Sequence, residues 1–120
     1  MDRDEVWRRG EQLAADHLLG SGWTILERNW RCAAGEIDIV AVEPGRAPTV
    51  VFCEVKCRTG LGFGAPLEAI TRAKLGKLRD LALHWLRAQD RPVPSFRIDA
   101  IGVLLGPQGP SITHLKGLSR

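Results

Sequence analysis

The sequence predicts an α/β protein in which a mixed central sheet is flanked by helices, in the order αβββαββ. Three observations carry this. Residues 4–19 and 66–89 space their apolar side chains as helices do, and residues 35–43 and 49–58 alternate as strands do across the turn-forming PGRAP. A third apolar run, FRIDAIGVLL, lies beyond Pro92 and Pro94, where it can return as a further strand of the same sheet.

The first helix places Val6, Trp7, Leu13, Ala14, Leu18 and Leu19 at three-to-four spacing and stops in GSG. WTILERNWR, residues 23–31, is rich in β-branched and aromatic residues but alternates imperfectly, and is read as a strand. The next two strands form an antiparallel hairpin. After the glycine-rich TGLGFGAP, the second helix starts at Pro66, suited to a first turn, and carries Leu67, Ile70, Leu75, Leu78, Ala82, Trp85 and Leu86 on one stripe. GPQGP then turns the chain into a last short strand, SITHL.

A chain of 120 residues, 44% apolar and 26% charged, is expected to form one domain with a real core. No apolar run approaches the roughly 20 residues that span a bilayer, and MDRDEVWRRGEQ lacks the apolar stretch of a signal peptide, so no membrane and a cytoplasmic location are expected. Cys32, Cys53 and Cys57 are odd in number, which suits reduced thiols better than a disulfide framework, and no zinc-ligand spacing is present. Charge is uneven: residues 1–54 hold 6 Lys/Arg against 10 Asp/Glu, and residues 55–120 hold 11 against 4. The basic second half fits a surface that meets a polyanion, although a net charge of +3 also serves solubility.

The hairpin raises an electrostatic question. Alternation puts Ile37, Ile39 and Ala41 with Val51, Cys53, Val55 and Cys57 on a core face, and Glu36, Asp38, Val40, Phe52, Glu54 and Lys56 on the other. If the turn sets Glu43 opposite Thr49, Asp38 faces Glu54 and Glu36 faces Lys56. A solvated sheet face is the ordinary reading, and it accommodates the Glu36–Lys56 pair. It does not accommodate two carboxylates whose Cβ atoms stand about 5 Å apart. Asp38 and Glu54, with the main-chain carbonyl of Val55, make an oxygen-ligand set for Mg or Mn. Lys56 lies on the same face, where it can orient a metal-activated water or stabilise charge on a phosphoryl oxygen.

These residues carry a resemblance. Asp38 followed by Glu54-Val55-Lys56 is similar to the D…(D/E)-x-K signature of the restriction-endonuclease-like superfamily, which includes Holliday-junction resolvases. The set of Gly10-Glu11, GEIDIVA, FCEVKCR, TRAK…KL and FRIDAI resembles the YraN-like family of small bacterial proteins over nearly the whole chain. The resemblance implies a nuclease-like αβββαβ core and binding to nucleic acid, most readily DNA, with branched or structured DNA taken from the resolvases. It implies that Glu11 joins Asp38 and Glu54 at the metal site. Resolvase-like enzymes cut as symmetric dimers, which leaves a homodimer open.

Other residues have two readings each. Glu11 on its own is an exposed helix glutamate on the side away from Val6 and Trp7. Glu36 either joins the site or neutralises Lys56. Arg72, Lys74 and Lys77 form a solvated helix start or grip phosphates beside the metal. Trp30, between Arg28 and Arg31, is a core anchor or a base-stacking residue. Glycines 60, 62 and 64 read as a link, since they lack P-loop spacing. Arg97 and Asp99 can pair structurally. The leading function is a divalent-metal nuclease; the alternatives are a nucleic-acid-binding module without turnover and a protein-binding scaffold.

Overall fold

The structure, a computed structural model, describes residues 1–60, 62 and 64–118; residues 61 and 63 of the glycine-rich link lie outside the described residues. The elements are α1 (Arg3–Gly20), β1 (Thr24–Cys32), β2 (Gly35–Glu43), β3 (Thr49–Arg58), a 3-10 turn (Pro66–Ala69), α2 (Arg72–Arg87), β4 (Phe96–Gly106) and β5 (Gly109–Leu115). The five strands form one mixed sheet in sequential order. β3 and β4 are parallel because α2 carries the chain back across the sheet, and the other neighbours are antiparallel. This is the expected α/β order. No helix among the described residues is long and apolar enough to cross a membrane.

The long second helix expected from Pro66 is two pieces. Thr71 accepts a hydrogen bond from the Lys74 amide at 3.2 Å and caps a helix that starts only at Arg72. Apolar periodicity runs through such a break unchanged, so it could not reveal it.

Each sheet face is covered. α1 packs Ala14, Ala15 and Leu18 against Ile39, Ala41, Val51, Cys53, Val55, Ile101 and Val103. α2 packs Leu78, Leu81, Ala82 and Trp85 against Ile37, Val40, Phe52 and Ile98. Burying each large side chain on α2's inner face contributes roughly 1.5–3 kcal/mol. The face carrying Val40 and Phe52 is buried under α2, against the ordinary solvated-face reading. One expectation changes: Ile37 packs on the α2 side although Ile39 and Ala41 pack on the α1 side. Strict alternation therefore fails at Asp38, which lies between them.

Trp23 and Trp85 are buried and Trp30 is half-buried against the α2-side core, so Trp30 is an anchor rather than a free stacking platform. Trp7 is 41% exposed. The three cysteines are free.

α1 passes tightly over Cys57 of β3 at Gly10. A Cβ added there would stand 2.5 Å from Cys57 Cβ and 2.6 Å from Cys57 Sγ. Gly10→Ala is therefore expected to destabilise by about 1–3 kcal/mol through overpacking, although alanine is the better helix former by about 1 kcal/mol. Urea unfolding checks this, and a more stable variant would show that α1 has room to stand off the sheet.

Candidate functional site

The site forms where β2 and β3 part. Their ladder follows the expected register from Glu43–Thr49 to Ile39–Cys53, and there the paired residues end, one step short of the expected Asp38–Glu54 pair. Asp38 Oδ2 instead accepts a hydrogen bond from the Val55 amide at 2.8 Å. On the other side the β1–β2 pairs run from Arg28–Ile39 to Trp30–Ile37, passing over Asn29 and Asp38. Asp38 thus sits in the seam of the sheet, 9% exposed. Burial first, then the charge of Glu54, push its carboxyl up to about 7, against the pull of the Val55 hydrogen bond; Glu11 and Glu36 add to the repulsion.

Glu11 departs from its expected exposed position. It is 2% exposed and belongs to the buried stripe of α1, where Gly10 lets the helix approach. Asn29 Nδ2 donates to Glu11 Oε2 at 2.9 Å, and Arg28 approaches Oε1 at 3.4 Å. Asn29 has φ 53, a left-handed conformation that asparagine tolerates better than most residues. Arg28 and Asn29 are the positioning residues that sequence reasoning missed. Their signal was the broken alternation of β1.

Glu54 and Lys56 project together, with Lys56 Nζ 3.1 Å from Glu54 Oε1. The expected Glu36–Lys56 pair is not formed. Glu36 faces Arg31 at 3.5 Å, and its Oε1 is buried without a hydrogen-bond partner among the described residues. The reason is the parting of the strands, which withdraws Glu36 from the β3 ladder. A cavity of about 260 Å³ opens beside these groups, lined by Glu36, Glu54 and Lys56 from the sheet and by Lys74 and Lys77 from α2. The structure therefore brings Glu54, Glu11 and Glu36 within electrostatic reach of Asp38, and Lys56, Lys74 and Lys77 to one cavity. Arg72 is exposed on the first turn of α2 and does not line it.

Among the described residues, no three acidic, histidine or cysteine side chains converge into a ready metal-ligand set. The chemistry of the donors nonetheless fits a hard divalent cation. Asp38 is held against the repulsion of three neighbouring carboxylates, and a buried carboxylate oxygen of Glu36 has no partner among the described residues. Both conditions are relieved by a cation with oxygen ligands.

A second charged cluster lies apart from this one. Asp99, fully buried, accepts from Arg97, His114 and the Gly117 amide at 2.8–3.0 Å. Its Arg97 pair is structural, as the sequence allowed.

The profile described as "Uncharacterised protein family UPF0102" matches residues 10–103, which include every acidic and lysine residue of the site. The chain is 49% identical over 119 residues to a "UPF0102 protein" of Mycobacterium ulcerans, covering 98% of this chain and 97% of that one. It is 55% identical over 101 residues to a "UPF0102 protein" of Clavibacter michiganensis, covering 83% and 82%. A "UPF0102 protein" of Mycobacterium tuberculosis is 45% identical over 122 residues, covering 98% and 94%. Matches of this extent leave one conclusion: the chain belongs to the uncharacterised protein family UPF0102, the group its motifs resemble under the name YraN-like.

Proposed function

We propose that this protein is a divalent-metal-dependent nuclease that hydrolyses phosphodiester bonds in DNA, with branched or structured DNA as its preferred form. The observation that carries the reading is the seating of Asp38 in the seam between β2 and β3, beside Glu54 and with Glu11 delivered from α1. Asp38, Glu54 and Glu11, with the Val55 carbonyl, would hold Mg or Mn. When bound, the cation would supply Lewis-acid polarisation of a phosphoryl oxygen and a water of lowered pKa.

The residues of the chain have separable tasks. Lys56 places a positive charge beside Glu54 at the point where negative charge grows on the phosphoryl group. Lys74 and Lys77 hold the neighbouring backbone phosphates from α2. Arg28 and Asn29 fix the Glu11 carboxylate.

The test is a cleavage screen over linear, flapped and four-way DNA with Mg or Mn. Asp38→Ala should be inactive, and cleavage surviving the substitution would point to a contaminant. Lys56→Ala should lower the cleavage rate far more than DNA affinity, since its charge acts on the reacting centre. Equal losses in both would reduce Lys56 to a phosphate grip.

Binding is expected to be mainly electrostatic. Neutralising Lys74 and Lys77 together should weaken it regardless of sequence and flatten its salt dependence, by about 0.9 in log–log slope for each duplex phosphate no longer neutralised. An unchanged slope would place the footprint elsewhere.

A second reading, a nucleic-acid-binding module without turnover, is favoured by one observation. Glu54 and Glu11 each already have a cationic partner, in Lys56 and Arg28. Binding in the screen without cleavage under any metal would select it.

A further inference from the structure

We propose that His17 and His114 form an acid-sensitive latch, which holds β5 and residues 116–118 to the end of α1 and releases them when the pair takes up a second proton. The latch belongs to the second charged cluster and does not depend on the nuclease reading.

Hydrogen bonds fix which nitrogen carries which proton. Asp99 is fully buried and kept ionised by its partners, so its Oδ2 only accepts, and His114 Nε2, at 2.8 Å, donates to it. Neutral His114 then has a bare Nδ1. His17 Nε2, 3.1 Å away, donates to that nitrogen. The relay thus runs from α1 through β5 to a carboxylate on β4.

One added proton leaves the relay whole, because an imidazolium still meets a neutral imidazole across the contact and Asp99 balances the charge. Two added protons do not. His17 Nε2 and His114 Nδ1 would both be donors aimed at each other, with no acceptor between them. The surrounding charges do not offset this. Lys116, beyond β5, repels a protonated His17. Arg97 of β4 is shared by Asp99 and Glu43, and Glu43 of β2 also pairs with Lys116, so both nearby carboxylates already have cationic partners. Burial, then His114 and Lys116, hold the His17 pKa below 6.5.

The fold decides which side gives way. Leu18, next to His17, is fully buried and anchors α1. β5 is an edge strand paired with β4 alone, and of its seven residues Ile112 and His114 are half-buried while the rest are exposed. Beyond it the chain is tied by the Gly117 amide to Asp99 and by the Leu118 amide to the Ile98 carbonyl. With the histidine bond broken, this thinly buried edge opens before the rest of the sheet.

Hydrogen exchange of the full chain in chelator, corrected for the intrinsic effect of pH, tests the latch at about pH 7.5 and about pH 5. An opening that takes up a proton refused by the closed form becomes about tenfold more populated for each pH unit below 6.5. Protection of residues 109–118 should therefore fall about tenfold between the two conditions, while β2 and β3 lose none. Asp38 titrates over the same interval in the opposite sense, favouring the closed sheet as pH falls, so it cannot imitate the loss. His17→Gln keeps a donor for His114 Nδ1 but takes no proton, and its protection over 109–118 should change by less than about twofold. Imidazole ¹⁵N spectra of the parent at neutral pH should show both rings protonated at Nε2 alone. A His114 protonated at Nδ1, a parent whose 109–118 protection ignores pH, a loss spread evenly through the sheet, or a loss that persists in His17→Gln overturns the latch.

Discussion

Asp99→Asn is expected to cost about 3 kcal/mol of folding stability, lowering Tm by roughly 10–20 °C. Asp99 is fully buried, and both its oxygens are used. Arg97 Nε and the Gly117 amide donate to Oδ1 at 2.8 and 3.0 Å, while Arg97 Nη2 and His114 Nε2 approach Oδ2 at 3.0 and 2.8 Å. These bonds join β4, β5 and the segment beyond β5. An asparagine of the same shape keeps one acceptor but turns an NH₂ toward donors and leaves the Arg97 charge with Glu43 alone, at 2.7 Å. Glu43→Gln is the control. It touches the same arginine and Lys116 from a partly exposed position and should cost under about 1 kcal/mol. Comparable losses in the two variants would mean that Asp99 is no more than a surface-like ion pair.

The same cluster sets the acid limit of the fold. Burial would raise the Asp99 carboxyl, but the bonds from His114, Arg97 and Gly117 outweigh it and hold it down at about 2. A carboxyl lowered in the fold contributes stability above its ordinary 3.8, lost as pH falls toward 2. His17, whose Nε2 lies 3.1 Å from His114 Nδ1, is lowered by burial and by His114. It acts in the same sense, losing stability as pH falls below 6.5.

What the sequence made legible follows what period-two and period-3.6 patterns encode. The hairpin register was readable because PGRAP is short and both strands alternate, and Ile39–Cys53 through Glu43–Thr49 pair as expected. The nearness of Asp38 to Glu54 was readable by carrying that register one step further, although the facing pair itself does not form. The parting of the strands at Asp38 was not. A side chain that substitutes for a backbone acceptor, as Asp38 Oδ2 does for the Val55 amide, leaves the hydrophobic pattern nearly intact. The burial of Glu11 was missed for a related reason, since a charged residue on a buried stripe reads as a charged residue on the exposed one. Its holders, Arg28 and Asn29, come from a strand whose irregularity was visible but whose meaning depends on a helix packed against it from elsewhere in the chain. The start of α2 was hidden because Thr71 caps it in the middle of a continuous apolar period.

Asp38→Asn is expected to stabilise the metal-free protein at alkaline pH while abolishing its response to metal. The Asp38 carboxyl is raised from 3.8 to about 7 in the fold, chiefly by burial and by Glu54. A carboxyl raised in this way contributes stability that is fully present below pH 3.8 and is lost as pH rises through 7. At about 1.4 kcal/mol for each pH step between the two values, ionising it costs roughly 4 kcal/mol. Asparagine keeps the shape, can still accept from the Val55 amide, and carries no charge to repel Glu54, Glu11 and Glu36. In chelator at about pH 8 the variant should therefore melt above the parent, and the two curves should converge as pH falls toward about 4. Adding Mg or Mn should reverse the order. The parent gains RT ln(1 + [L]/Kd), about 2.7 kcal/mol at a hundredfold excess over Kd, and the variant, lacking the central carboxylate, gains much less. Because Asp99 and His17 titrate alike in both proteins, the difference between their curves isolates Asp38. Thermal melts across pH, in chelator and through a metal titration, decide the matter. A variant that is less stable at that alkaline pH, with both proteins indifferent to metal, would make Asp38 a strand-seam acceptor only and remove the acidic cluster as a cation site.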